Sequence, residues 1–201
     1  MVIHFSRRHT TFEAPLIVVD NKHIERVKSL KLLGVFLSSD LSWSEHVNYT
    51  VTKASKRMFV IFQLIKSGVQ LADIVVVYCS IIRSTLEYAC PVWHCGLSKA
   101  QADDIESVQR RCMRALLPDI SYDEALVIFG LERLDVRRER IVRDLFNEVK
   151  CEGHVLNHLL LKRNTELSKV DIRNKYPYLM KFGKTNRLNR SFIHYCIKKK
   201  Y

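Results

Sequence analysis

Glycine and proline are scarce, six and four in 201 residues. Counts that low exclude a linker-rich or collagen-like chain. No glycine-rich phosphate loop, His-Glu-x-x-His or Gly-x-Ser-x-Gly occurs, so the common short signatures of nucleotide, zinc-protease and serine-hydrolase sites are missing. No stretch approaches the roughly 20 apolar residues of a membrane span. The longest apolar run, Ile74–Ile82, is broken by Arg83, and no apolar leader precedes Arg7 and Arg8. The expected placement is intracellular, neither secreted nor membrane-inserted. The six cysteines, at 79, 90, 95, 112, 151 and 196, are scattered. They read as reduced thiols rather than as a disulfide framework. Cys90, His94 and Cys95 cluster most tightly, but no second ligand pair follows at similar spacing, and neighbouring side chains diverge. No metal site and no cofactor is expected.

What the chain has in quantity is apolar and basic side chains. Hydrophobic residues are 47% and charged residues 27%, enough to build a core without disulfides or metals. The formal charge is +12, and it is unevenly spread. Residues 161–201 carry 12 basic side chains against Glu166 and Asp171 alone, interleaved with Tyr176, Tyr178, Phe182, Phe192, Tyr195 and Tyr201. Basic residues among aromatics suit a polyanion with stackable bases. The same pattern also suits a solvated tail, partly docked through its aromatics.

Along the chain the first forty residues read as strands. Leu16–Val19, Ile24–Val27 and Leu32–Leu37 are short β-rich runs separated by turn chemistry at Asp20–His23, with Gly34 marking a bulge or a close backbone approach. Ser42-Trp-Ser-Glu45 reads as a capping box. Beyond it Val47, Val51, Ala54, Met58, Ile61 and Ile65 recur at spacings of four and three, the stripe of a long helix stopped at Ser67-Gly68. Residues 72–88 are apolar nearly all round. They read as a central helix ended by Pro91, with a buried strand as the alternative. Ser98-Lys-Ala-Gln101 and Ser121-Tyr-Asp-Glu124 open two further helices, and another runs from about Asp135 with Ile141, Leu145 and Val149 inward.

Paired aspartates hold the metal ions of polymerases, and Asp103-Asp104 is the one such string. It falls in the first turns of a capped helix, where adjacent side chains diverge by about 100°. These acids read as complements to the helix dipole.

Several blocks together resemble a known family. Lys31-Leu-Leu-Gly-Val-Phe-Leu through Ser42-Trp-Ser-Glu-His46 is similar to the K-x-LGV…L-x-W…H segment of non-LTR, LINE-type retrotransposon reverse transcriptases. Lys53-Ala-Ser-Lys-Arg57, Tyr78 to Trp93 (with Ile-Arg-Ser-Thr-Leu-Glu-Tyr-Ala) and Ile105-Glu-Ser-Val-Gln-Arg-Arg-Cys-Met-Arg114 continue the likeness. Ser121–Leu126, Gly130–Leu134 and Arg137-Arg138 complete it, in unbroken order over residues 13–150. The Jockey, CR1 and L2-like group is the nearest in pattern. A short stretch, Trp43–Leu64, also resembles part of AlkB-type tRNA-modifying proteins. No histidine here stands two before an aspartate, so their iron chemistry is not carried over.

The resemblance implies the end of a polymerase palm, then the thumb and connection, with the catalytic aspartates upstream of Met1 and absent. The expected architecture is α+β, mainly helical: an antiparallel β-meander at 1–41, a thumb-like helical bundle at 42–153 and a basic extension at 154–201. The expected function is non-catalytic binding of an RNA–DNA hybrid or duplex through phosphates. The side chains expected to carry it are Lys53, Lys56, Arg57, Arg110, Arg111, Arg114, Lys184, Arg187 and Arg190. The alternative is a helical protein-interaction module derived from a retroelement.

Overall fold

A computed structural model describes residues 2–3, 16–160, 178 and 186–201. The class is α+β and mainly helical, with short strands first and helices after them. The strands are β1 (Val2–Ile3), β2 (Val18–Val19), β3 (Lys22–His23), β4 (Arg26–Val27), β5 (Ser29–Leu32) and β6 (Val35–Ser38). β2–β3 and β5–β6 are antiparallel, β1–β4 is parallel, and the three pairs are separate two-stranded ribbons rather than one meander.

Two turns are tighter than the sequence suggests. Asp20 and Asn21 both take positive φ, 49° and 57°, so the turn ends there and Lys22–His23 already belongs to the return strand. Leu32–Leu37 is a hairpin and not one strand. Leu33 (φ 47°) and Gly34 (φ 83°) reverse the chain so that Leu32 faces Val35 and Ser29 faces Ser38. Two successive left-handed residues match the twist of a two-residue hairpin, and glycine carries the second without strain. The close approach expected at Gly34 is real. A Cβ there would meet Tyr88 Cε1 at 3.0 Å.

Helix α1 (Ser44–Lys66) follows. Ser42 does not cap it. Leu41 in the left-handed region (φ 56°) shifts the start past Trp43, and the Ser42 amide donates instead to Asp40 Oδ1 at 2.9 Å. The expected stripe is inward: Val47, Ala54, Met58 and Ile61 are buried, Val51 and Ile65 half-buried. Gly68 (φ 72°) ends the helix, with the Val69 amide closing back on the Leu64 carbonyl at 3.2 Å.

The apolar run after it is helix. α2 (Leu71–Val77) widens into a π-helical turn at Tyr78–Arg83 and continues as α3 (Ser84–Glu87). Ile74, Tyr78, Ile82 and Leu86, four apart, are fully buried. Ala89 ends this stretch by turning left-handed (φ 52°). Pro91 lies inside the first turn of α4 (Cys90–Trp93), where a missing amide hydrogen does no harm, rather than terminating the helix before it. By length and composition Leu71–Gly96 is apolar enough to cross a membrane, against the sequence expectation. In this fold its inward side chains, Trp93 included, pack in the bundle core.

Both expected capping boxes are present, on α5 (Lys99–Leu116) and α6 (Tyr122–Ile128). α7 (Leu134–Val149) keeps Val149 inward as expected, but the rest of its buried stripe lies one residue out of phase with the expected one. Leu134, Arg138, Val142, Phe146 and Val149 are buried, whereas Ile141 and Leu145 are half-buried. After Asn157–Leu159, a single 3-10 turn, come α8 (Asn186–Asn189) and α9 (Phe192–Lys199).

A buried polar chain ties these helices together. Tyr78 donates to Gln109 Oε1 at 2.6 Å, and Gln109 Nε2 donates to Tyr122 at 2.8 Å and to the Glu132 carbonyl at 3.0 Å. Tyr122 donates to Glu106, whose carboxylate accepts the Leu134 amide at 3.0 Å. Glu106, only 2% exposed, thus caps α7 from another helix, satisfying an orphan amide and facing the positive end of its dipole. Every member is bonded, which is the condition for a buried network to stabilise rather than penalise.

Candidate nucleic-acid interface

The expected basic residues fall into three groups. Lys53 and Lys56 are exposed on α1, and Arg57, one turn beyond Lys53, is half-buried. Arg57 Nη1 donates to the Ile81 carbonyl at 2.6 Å and to Thr85 Oγ1. That carbonyl lies in the π turn and also accepts from the Thr85 hydroxyl at 2.9 Å, so Arg57 ties α1 to the widened turn. It serves the fold more than a ligand.

Arg110, Arg111 and Arg114 are exposed on α5. Arg110 stacks over the Tyr122 ring, 5.3 Å from its centroid, and Arg111 Nη2 donates to Ser55 Oγ at 2.7 Å. That last bond joins the basic face of α5 to the outer face of α1. Arg187 and Arg190 are exposed at and just after α8. Arg187 lies near enough to Asp40 to add to the Ser42 amide bond that holds this carboxyl below its usual range. Lys184 lies outside the described residues.

Pairing separates these cations from four other arginines, whereas Arg26, Arg83 and Arg138 are likewise in no ion pair among the described residues. Arg133, Arg137, Arg140 and Arg143 all sit in ion pairs, with Asp123, Asp135, Glu87, Glu132 and Asp144. Among the described residues no carboxylate lies within ion-pair distance of Lys53, Lys56, Arg110, Arg111, Arg114, Arg187 or Arg190. Asp103 and Asp104 are exposed on the first turn and a half of α5.

An open cavity of about 340 Å³ lies between the β5–β6 hairpin, α1 and α3. Lys31, His46, Tyr49, Lys53, Thr85 and Tyr88 line it, and among the described residues none of the lining is acidic. Lys31 Nζ donates to the Tyr49 hydroxyl at 2.9 Å and sits 4.3 Å from that ring's centroid, while Lys53 Nζ is 5.9 Å from the same centroid. The Lys31 hydrogen bond, then the charges of Lys31, Lys53 and Arg57, hold the Tyr49 phenol below its usual pKa. Tyr88 is fixed by donating to the Leu33 carbonyl at 3.0 Å.

Of these residues the sequence reading singled out only Lys53. Lys31, His46, Tyr49 and Tyr88 were missed, although a signal existed. His46, Tyr49, Thr50, Lys53 and Arg57 recur at helical spacing and mark a polar stripe beside the apolar one on α1.

The Cys90–His94–Cys95 cluster forms no ligand set; among the described residues no group of His, Cys, Asp and Glu is arranged to hold a metal ion. Burial pushes the Cys90 and Cys95 thiols up to about 12. His94 Nε2 instead pairs with Glu139 at 2.8 Å, and Glu139 also accepts from Tyr195 at 2.7 Å and from Tyr201. The terminal aromatics thereby dock α9 onto α7, with Phe192 edge-on to Phe146 at 6.1 Å.

No family model, no curated protein and no solved structure matches the chain.

Proposed function

We propose that this chain is a non-catalytic, nucleic-acid-binding helical module, derived from the thumb and connection of a LINE-type reverse transcriptase. The observation that supports binding is the unpaired basic surface. Lys53 and Lys56 on α1 and Arg110, Arg111 and Arg114 on α5 stand on helices bridged by the Arg111–Ser55 bond, with no carboxylate neutralising them among the described residues. Cations held on rigid helices and left open to water suit phosphates spaced along a duplex. Arg57 drops out of the contact set because its guanidinium is committed to the π turn.

Polymerisation is not part of the proposal. Two-metal transfer needs carboxylates converging within about 4 Å of a metal pair, and Asp103 and Asp104 sit exposed on successive positions of a helix. The reading predicts that fluorescence anisotropy detects binding of an RNA–DNA hybrid with little sequence preference. Replacing Lys53, Lys56, Arg110 and Arg114 together by Gln should weaken it at least tenfold, since each phosphate contact contributes electrostatically. Unchanged affinity in that variant, with its fold intact, overturns the proposal.

One observation favours the protein-interaction reading. Phe59 and Phe62 on the outside of α1 are 64% and 43% exposed. Apolar surface of that kind is the usual mark of a protein contact. Loss of self-association or partner binding on Phe59→Ser, with hybrid binding absent from the parent, would favour it.

A further inference from the structure

His46 is unusual among the cavity residues. It is only 3% exposed, its Nδ1 accepts a long 3.4 Å bond from the Phe36 amide, and its Nε2 is buried with no hydrogen-bond partner. Burial holds the ring below its usual pKa, so at neutral pH it is uncharged. With Nδ1 accepting, the ring proton is on Nε2, which makes that atom a donor without an acceptor. Water does not reach that atom, so His46 serves the cavity as an uncharged wall and not as a ligand contact.

The unspent donors of the cavity lie on its exposed and half-buried side chains. Lys31 has two N–H bonds beyond the one given to Tyr49, Lys53 has three, and neither ammonium has a carboxylate partner among the described residues. Both lie over one tyrosine ring, so their separation cannot exceed the sum of 4.3 and 5.9 Å. The Tyr49 hydroxyl accepts from Lys31 and keeps its own hydrogen free to donate. The hydroxyls of Thr85 and Tyr88 already donate, to the Ile81 and Leu33 carbonyls, and form the cavity's fixed wall. Like charges brought together without a counter-charge repel, unless an anion joins them.

We infer that this cavity is a binding site for a small phosphomonoester, held by Lys31, Lys53 and Tyr49. The dianion balances two ammoniums, and its three terminal oxygens match a donor set richer than a carboxylate would use. The volume of about 340 Å³ exceeds a bare phosphate and leaves space for an attached organic group beside the Tyr88 ring. A free nucleoside 5′-monophosphate and the 5′-phosphate of a nucleic-acid end present the same chemistry. The inference does not rest on duplex binding by α1 and α5.

Titration calorimetry with inorganic phosphate, uridine 5′-monophosphate and uridine tests it, alongside one oligonucleotide carrying either a 5′-phosphate or a 5′-hydroxyl. Lys31→Met and Lys53→Met, both at exposed positions, should each weaken phosphate binding about tenfold or more. Uridine should not bind. Binding of the free monophosphate identifies a small-molecule site. Preference for the phosphorylated strand alone, lost in both Lys→Met variants, identifies a strand-end site, and both results support the inference. No saturable binding of any phosphomonoester at about 1 mM, or binding unchanged in both folded variants, overturns it. Equal binding of both oligonucleotides with no free-phosphate binding also overturns it, while leaving the duplex surface intact.

Discussion

Removing the Glu139 carboxylate should release the C-terminal helix. Glu139 sits on α7 and accepts from Tyr195 at 2.7 Å, from Tyr201, and from His94 Nε2 at 2.8 Å, with Lys199 Nζ at 3.8 Å. Its side chain is 28% exposed, so water screens the group only in part. A hydrogen bond to a charged group is worth about 1.5–3 kcal/mol, and the three are not additive because a freed tyrosine hydroxyl finds water. Glu139→Ala should therefore cost about 2–4 kcal/mol. Glu139→Gln keeps the shape and one acceptor oxygen and should cost less. The effect should be local first: α9 contributes Cys196 and Ile197 to a small core with Val142 and Phe146, separate from the main bundle. Hydrogen exchange should show the α9 amides losing protection while the α5 amides keep theirs. Urea denaturation placing Glu139→Ala within about 0.5 kcal/mol of the parent, or unaltered exchange in α9, would refute this reasoning.

Stability should fall in two stages on acidification. Burial lowers the pKa of His46 and of His94, the latter against the pull of Glu139, so below their ordinary value of 6.5 the unfolded chain takes up protons first and stability declines. Burial works against ionising Glu139, yet the bonds from Tyr201, Tyr195 and His94 hold its pKa below 4.5. Its contribution, present above that value, is lost as the pH falls through the lowered one. Glu139→Gln should shrink this second stage, to which Asp40 also contributes, and deepen the first, because His94 loses the pull that raises its pKa. Gly96→Ala should be among the worst small substitutions, because the new Cβ would lie 2.3 Å from Trp43 Nε1. Overpacking of that order costs about 1–3 kcal/mol by denaturant titration, against near zero for Gly153→Ala, whose Cβ meets nothing within 4 Å. Thiol labelling at pH 8 should modify exposed Cys151 quickly, and leave Cys90, Cys95 and Cys112, buried and pushed up to about 12, until the chain unfolds. Fast modification of any of those three would contradict the packing described for the core.

The helices were readable wherever one local rule decided them. The spacing of Val47 to Ile65 marked α1, and Ser98 and Ser121 stand at true caps because their partners three residues on are Gln101 and Glu124. Ser42 satisfied the same local rule and failed, since Leu41 enters the left-handed region and moves the helix start. Short strands were harder. Leu33-Gly34 turns within an apolar run, and Leu33 gives no local sign that it accepts positive φ. The phase of α7 was missed because Arg138 is fully buried, against Trp93 and bonded to His94 Nδ1 at 3.4 Å, where periodicity assigns arginine to the surface. The basic residues of the candidate interface were identifiable by type. Their pairing was not, because whether an arginine meets a carboxylate depends on which helices pack together. The cavity needed the hairpin, α1 and α3 in place, and only the polar stripe of α1 announced it.

The salt dependence of hybrid binding tests the central claim most directly. Each neutralised phosphate contributes a slope of about −0.9 to log K against log salt concentration. With Lys53, Lys56, Arg110 and Arg114 in contact the parent should show a slope of about −4 or steeper, and their joint replacement by Gln should flatten it by about three to four. A flat plot for the parent, or the same slope in both proteins, would contradict the assignment of this surface to nucleic acid.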